Sequence, residues 1–215
     1  NINLSVSAVD QAGNPVSSSH TLGVFIHNLP DATLNTPFGD GILNGTEAGQ
    51  PQTITGSTGI TTPGQTVTVN LEDKTYTGTV DGSGNWSVTV PVGDLQALPD
   101  GTPVLNVVVT DSAGNSNTLN GTVLVDKVAP TLTVGVIAGD DVLNSAEVLL
   151  NQTVSGTASI GDAGRTVTLT LNGKTYTAVV QPDGSWSTSL PTADLTALSD
   201  GSYNLVATLT DSAGN

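Results

Sequence analysis

Neither cysteine nor methionine occurs in the 215 residues. Without cysteine there is no disulfide framework and no thiolate metal site, so a module of this kind must be held by its core or by bound ions. Without methionine the chain has no start residue of its own, and it reads as an excised or processed piece of a longer array. Basic residues are almost missing too: four Lys and Arg stand against nineteen Asp and Glu, a net charge of -15. Such a surface disfavours nucleic acid and anionic membranes and favours bound cations. Apolar runs stay at strand length, as in Val107-Val108-Val109, against the roughly 20 residues of a spanning helix, so no direct membrane insertion is expected. Good helix formers are few, while threonine, valine, Asn-Gly and Asp-Gly abound, which points to an all-β chain.

What is present is a repeat. Shifting residues 29–115 by 100 positions without a gap gives 38 identities in 87, among them Trp86/Trp186, Tyr76/Tyr176, Lys74/Lys174 and Asp94/Asp194. The run Asp111-Ser112-Ala113-Gly114-Asn115 returns as Asp211 to Asn215 and, altered at one position, as Asp10 to Asn14. A period this long means one folded module per repeat. The expected domains are 1–28, the last hairpin of a preceding module, with strands at Ile2 to Val9 and Thr21 to Ile26; 29–128, a complete module; and 129–215, a module lacking its last strand. Pro30 and Pro130 open the repeats as stiff linkers.

Strand signals in the first repeat fall at Thr53 to Gly56, Thr66 to Leu71, Thr75 to Val80, Trp86 to Val90, Val104 to Thr110 and Gly121 to Val125. Val67, Val69 and Leu71 alternate with Thr66, Thr68 and Asn70, and Trp86, Val88 and Val90 with Ser87 and Thr89. About seven strands per module with this turn chemistry predict tandem immunoglobulin-like β-sandwich modules of about 100 residues. The one expected helix is Val92 to Leu98, mirrored by Thr192 to Leu198, a crossover in which Leu95 and Leu98 plug the bottom of the sandwich.

Three runs carry a family resemblance: Asp183-Gly184-Ser185-Trp186, Leu195 through Tyr203, and Thr210-Asp211-Ser212-Ala213-Gly214-Asn215. They resemble the bacterial immunoglobulin-like repeats of giant non-fimbrial adhesins and biofilm-associated proteins. The resemblance covers both repeats and the leading hairpin. It implies a surface or secreted bacterial protein, exported by a type I system, whose stacked modules bind calcium near their junctions and have neighbouring modules of the same chain as partners.

Calcium takes six to eight oxygens from several loops, and the acids here lie in loops. Loops of a sandwich alternate between poles. Asp40 to Glu47, the crossover at Asp94 to Asp100, and Asp126 should lie at the bottom of one module; Gly161 to Gly164, the turn at Asp183 and Asp211 should lie at the top of the next. Asp40, Glu47, Asp126, Asp162 and Asp211 are therefore candidate calcium ligands at one junction. Against this, an aspartate before glycine-rich sequence commonly caps its own turn. Asp140, Asp141 and Glu147 form the second copy of the lower loop and are candidates for half of a further site, adjacent carboxylates repelling unless a cation intervenes. Ile26 matches Asp126 and Thr62 matches Asp162, so the leading junction should be metal-poor and held by Ile26, Leu29 and Pro30.

Other chemistry finds little support. His20 and His27 have no catalytic spacing, and no Gly-x-Ser-x-Gly elbow or phosphate loop occurs, so no enzyme is expected. Trp86 and Trp186 could stack on sugars, which would make one module a glycan- or receptor-binding unit, but their shared place at a strand start favours core packing. The reading is a structural rod segment of an adhesin, active in cell adhesion and biofilm, with calcium rigidifying a module junction.

Overall fold

The computed structural model describes residues 2–24, 30–59 and 63–215. Among the described residues, ten strands precede the second repeat: β1 (Ile2–Val9), β2 (Pro15–Leu22), β3 (Ile42–Leu43), β4 (Gln52–Ser57), β5 (Thr66–Leu71), β6 (Lys74–Thr79), β7 (Asn85–Val90), β8 (Val104–Thr110), β9 (Ser116–Thr122) and β10 (Leu124–Val125). Five follow: β11 (Gln152–Thr157), β12 (Thr166–Leu171), β13 (Lys174–Val179), β14 (Ser185–Leu190) and β15 (Leu205–Thr208). Short helices are α1 (Gly45–Ala48), α2 (Val92–Ala97) and α3 (Thr192–Leu195). The chain forms two compact units, one of residues 1–41, 52–94 and 102–123, the other of 42–51, 95–101 and 124–215.

In the first unit β1 and β2 form an antiparallel hairpin from Ile2↔Leu22 to Val9↔Pro15. The second strand begins at Pro15, not at Thr21, because Ser17, Ser18 and Ser19 pair through their backbones while offering no apolar alternation. Its expected end at Ile26, with His27 and Leu29, lies outside the described residues; His20 is exposed on β2. Pro30 is buried and its carbonyl accepts the Asn117 side-chain amide at 2.9 Å. β4 pairs with β7, and β6-β5-β8-β9 make a four-stranded sheet. The expected alternation appears as burial: Val67, Val69, Leu71, Trp86, Val88 and Val90 are buried. β9 starts five residues before the expected Gly121, again a polar stretch that pairs by backbone.

A further extended run went unread in the sequence. Thr33 donates its N–H to Ser57 at 2.8 Å and Asn35 to Thr55 at 2.9 Å, adding a strand-like edge to β4. Gly56 is directly opposite Trp86 in the ladder. A Cβ there would lie 2.0 Å from the Thr33 carbonyl oxygen and 2.5 Å from the indole, so the backbone is squeezed between ring and edge run. Gly156 repeats this, with Thr133 and Trp186 at 1.9 and 2.6 Å. Both tryptophans are buried, at 2% and 1% exposure, and their indole N–H groups have no hydrogen-bond partner among the described residues. They serve as core, which removes the best residues of the sugar-binding reading.

In the second unit β3 and β10 pair in parallel, β11 pairs with β14, and β13-β12-β15 form a sheet. Val154, Leu169, Trp186, Leu190 and Leu195 belong to one buried cluster. The expected crossover helix is present as α2 and α3, with Leu95 and Leu195 buried. It is not the only helix, however. Asn44 caps α1 in a reciprocal capping box with Glu47, a signature visible as Asn-x-x-Glu.

The crossover is stapled. The Tyr176 hydroxyl donates to Asp194 at 2.9 Å, with Lys174 Nζ 3.7 Å from the same carboxylate, and Tyr76, Asp94 and Lys74 repeat the arrangement at 2.8 and 3.8 Å. Burial first, then the hydrogen bond and charge of Asp194, push the Tyr176 hydroxyl from 10.0 up to about 12; Tyr76 is raised in the same way by burial and Asp94. A raised folded-state value means stability that is fully present below the unfolded value of 10.0 and lost as pH rises through about 12. Tyr176→Phe is expected to cost about 1 kcal/mol at neutral pH and to flatten part of that alkaline loss, as read by denaturant melts across the alkaline range.

Candidate functional site

Most carboxylates proposed from sequence are engaged by their own loops, and one, Asp162, is not. Asp211 is buried, and its Oδ1 accepts the N–H groups of Ala213 and Asn215, both at 2.9 Å, while Oδ2 accepts Asn215 Nδ2 at 3.0 Å. Burial raises its pKa, but these hydrogen bonds outweigh burial and hold the carboxyl below its ordinary range. Asp111 and Asp10 close their turns identically, and the side-chain hydrogen bond from Asn115 or Asn14 is the largest cause of their lowered values. Glu47 Oε2 accepts the Asn44 N–H at 3.1 Å within the capping box. Asp40 is exposed in the turn at 37–40.

Asp126 is half-buried; its N–H donates to the Leu43 carbonyl at 3.0 Å and its Oδ1 accepts the Val128 N–H at 3.3 Å. Beside it the Lys127 amine donates to the carbonyls of Gln96, at 2.8 Å, and Leu98, where the crossover helix ends. A cation at helix-terminal carbonyls is favourable, and this one is thereby held by backbone oxygens. In the second lower loop each acid also has a local partner: Asp140 accepts from Val142 at 3.0 Å, Asp141 from Ile137 at 2.9 Å, and Glu147 from Asn144 at 2.9 Å. The adjacent pair Asp140 and Asp141 thus face different N–H groups.

Asp162 differs. It closes the 3-10 turn Ile160–Asp162 and is only 7% exposed, yet no hydrogen bond or ion pair reaches its carboxylate among the described residues. Its oxygens are not among the buried atoms left without a partner, so the carboxylate keeps access to solvent while its own loop leaves it unengaged. Among the described residues no group of three or more His, Asp or Glu side chains is gathered for a metal. A calcium held here would therefore take further oxygens from carbonyls or water, as its coordination permits.

One contact set in this unit spans the two repeats. Asn215 Oδ1 accepts the Gly45 N–H at 2.6 Å, and its Nδ2 donates to the Asp126 carbonyl at 2.8 Å. Sequence reading followed the acids and missed the asparagine, although its threefold return in Asp-x-Ala-Gly-Asn marked it.

Comparison with known families decides what kind of module this is: the model of the bacterial Ig-like domain matches residues 43–127 and 134–215. The chain belongs to the bacterial Ig-like domain family. It is a family of sandwich modules rather than of enzymes. Among solved structures, this Ig-like chain is 37% identical, over 99% of its length and with a TM-score of 0.55, to a calcium-stabilised adhesin that helps an Antarctic bacterium reach out and bind ice. It spans 53% of that structure, about half. It is 34% identical over 99% of its length, again with a TM-score of 0.55, to part of a 1.5-MDa bacterial ice-binding adhesin described for retention at the host cell surface, and it spans 69% of that structure. No curated protein matches. Among the described residues no helix is long and apolar enough to cross a membrane.

Proposed function

We propose that these tandem Ig-like modules are a rod segment of a large bacterial adhesin at the cell surface or in secreted form, and that calcium stiffens the joint between the two repeats. The observation that carries the calcium reading is the Asp162 carboxylate, which no group of its own loop engages, in a residue only 7% exposed. Similarity to a calcium-stabilised adhesin supports it. Asp162 would be the principal ligand, with Asp126 and Asp211 as further carboxylates and Asp40 and Glu47 as outer candidates. Asp140, Asp141 and Glu147 would serve a following joint in the same way. The bound ion supplies charge neutralisation: with a net charge of -15, acidic poles repel one another, and a divalent cation between them removes that repulsion.

The module boundaries proposed for this rod are 29–128 and 129–215, with 1–28 belonging to a preceding module. A distal unit elsewhere in such an adhesin would make the adhesive contact, for which these modules supply reach. Isothermal calorimetry with calcium tests the ligand assignment: wild-type protein is expected to bind, and Asp162→Asn to lose that heat. Equal binding by both would rule out Asp162 as the ligand.

A further inference from the structure

The Asp-x-Ala-Gly-Asn turn contains a feature that calcium does not account for. In each copy the aspartate fixes the asparagine amide through Nδ2 to Oδ2, at 2.9, 2.9 and 3.0 Å for residues 14, 115 and 215. That bond uses one amide proton. At Asn215 the second proton and the carbonyl oxygen reach beyond the turn, already oriented.

At Asn215 both are engaged by the first repeat's lower loops. The proton side meets the Asp126 carbonyl and the Asp211 carboxylate, which can only accept, and the oxygen side meets the Gly45 N–H, which can only donate. Only an amide in this one orientation satisfies all three. Aspartate, its isostere, would set oxygen against two acceptors.

The seat is also cut to size. A Cβ at Gly45 would lie 3.0 Å from the Lys127 carbonyl oxygen and 3.2 Å from Asn215 Oδ1, and one at Gly214 would lie 3.3 Å from Asn44 Nδ2. Gly214 also has φ +88, where glycine is favoured. Asn44 and Glu47 hold the Gly45 segment through their capping box. In the second repeat Ser145 stands in place of Gly45.

We infer that Asn215 is a metal-independent latch between consecutive repeats, read by the Gly45 N–H and the Asp126 carbonyl, and that glycine at position 45 makes a lower pole able to receive it. The pairing rule follows: a pole with Asn-Gly-x-Glu grips the next Asp-x-Ala-Gly-Asn turn, and one with Asn-Ser-x-Glu, as at 144–147, grips it less tightly. The latch uses a backbone carbonyl of Asp126, not its carboxylate, which separates it from the calcium reading.

The absence of cysteine lets spin labels be placed uniquely at Thr77→Cys and Thr177→Cys, both exposed positions. Distance distributions between them are recorded on the full chain in chelator. Asn215→Asp and Gly45→Ser are expected to broaden the distribution, the latched-to-open ratio falling about tenfold, the size of one lost hydrogen bond. Asn14→Asp, which breaks the same internal turn bond in the leading hairpin, should leave the width unchanged. Trp186 fluorescence confirms that the second repeat stays folded. If both latch variants keep the wild-type width in chelator, or if Asn14→Asp broadens it as much as they do, the latch is overturned whatever calcium does.

Discussion

Trp86→Ala and Trp186→Ala are each expected to remove about 3–5 kcal/mol from their own repeat. A loss of that size is a large part of the roughly 5–15 kcal/mol that holds a domain folded. The ring lies buried against a glycine backbone and an extended edge run, and deletion leaves a cavity that neither can fill without losing ladder bonds. Gly56→Ala and Gly156→Ala attack the same contact from the other side. With a carbonyl oxygen at 2.0 or 1.9 Å from the added carbon, the edge run at 33–35 or 133–135 must detach from its strand. Because each repeat contains one tryptophan, the remaining indole reports on the untouched repeat in urea melts. Loss of cooperative unfolding in the mutated repeat alone is the expected outcome, and unchanged midpoints for the Trp→Ala variants would show that the rings are not core.

The second large effect is thermodynamic linkage at Asp162. Calcium at 100 times its dissociation constant is expected to raise stability by about 2.7 kcal/mol, because only the folded chain assembles the site. Asp162→Asn should abolish that gain. In chelator the same substitution should leave the protein about as stable as wild type, since no hydrogen bond or ion pair on that carboxylate is lost. This difference between calcium and chelator is specific to a ligand role. A variant equally destabilised in both conditions would instead mark Asp162 as part of the fold.

Much of the fold was legible because its strands are half-buried and announce themselves by alternation. β5 and β8 run over the residues expected, and both carry valine or leucine at every second position. What stayed hidden pairs by backbone without apolar side chains: the start of β2 in Ser17-Ser18-Ser19, the first half of β9, and the edge run beside β4. Helix α1 was overlooked for a different reason, its four residues being too short for any helical period, so that only the Asn44 and Glu47 cap could betray it.

The site was legible in part. Loop acids could be placed at alternating poles, but sequence does not tell a carboxylate that closes its own turn, as Asp211 does, from one its own loop leaves unengaged, as Asp162 is. That difference lies in Asn215, which supplies two of the three hydrogen bonds on the Asp211 carboxylate through its own N–H and its amide, Ala213 supplying the third. Nothing near Asp162 in the sequence supplies an equivalent. The neutral amide at the joint was passed over because the search for chemistry followed charge.

The central claim, that calcium stiffens the joint between the two repeats, is tested most directly by the width of the spin-label distance distribution between Thr77→Cys and Thr177→Cys. The account predicts a narrower distribution in calcium than in chelator for the otherwise wild-type chain, and no narrowing when Asp162→Asn is added. Equal widths in calcium and chelator, or the same narrowing with Asp162→Asn, would contradict it.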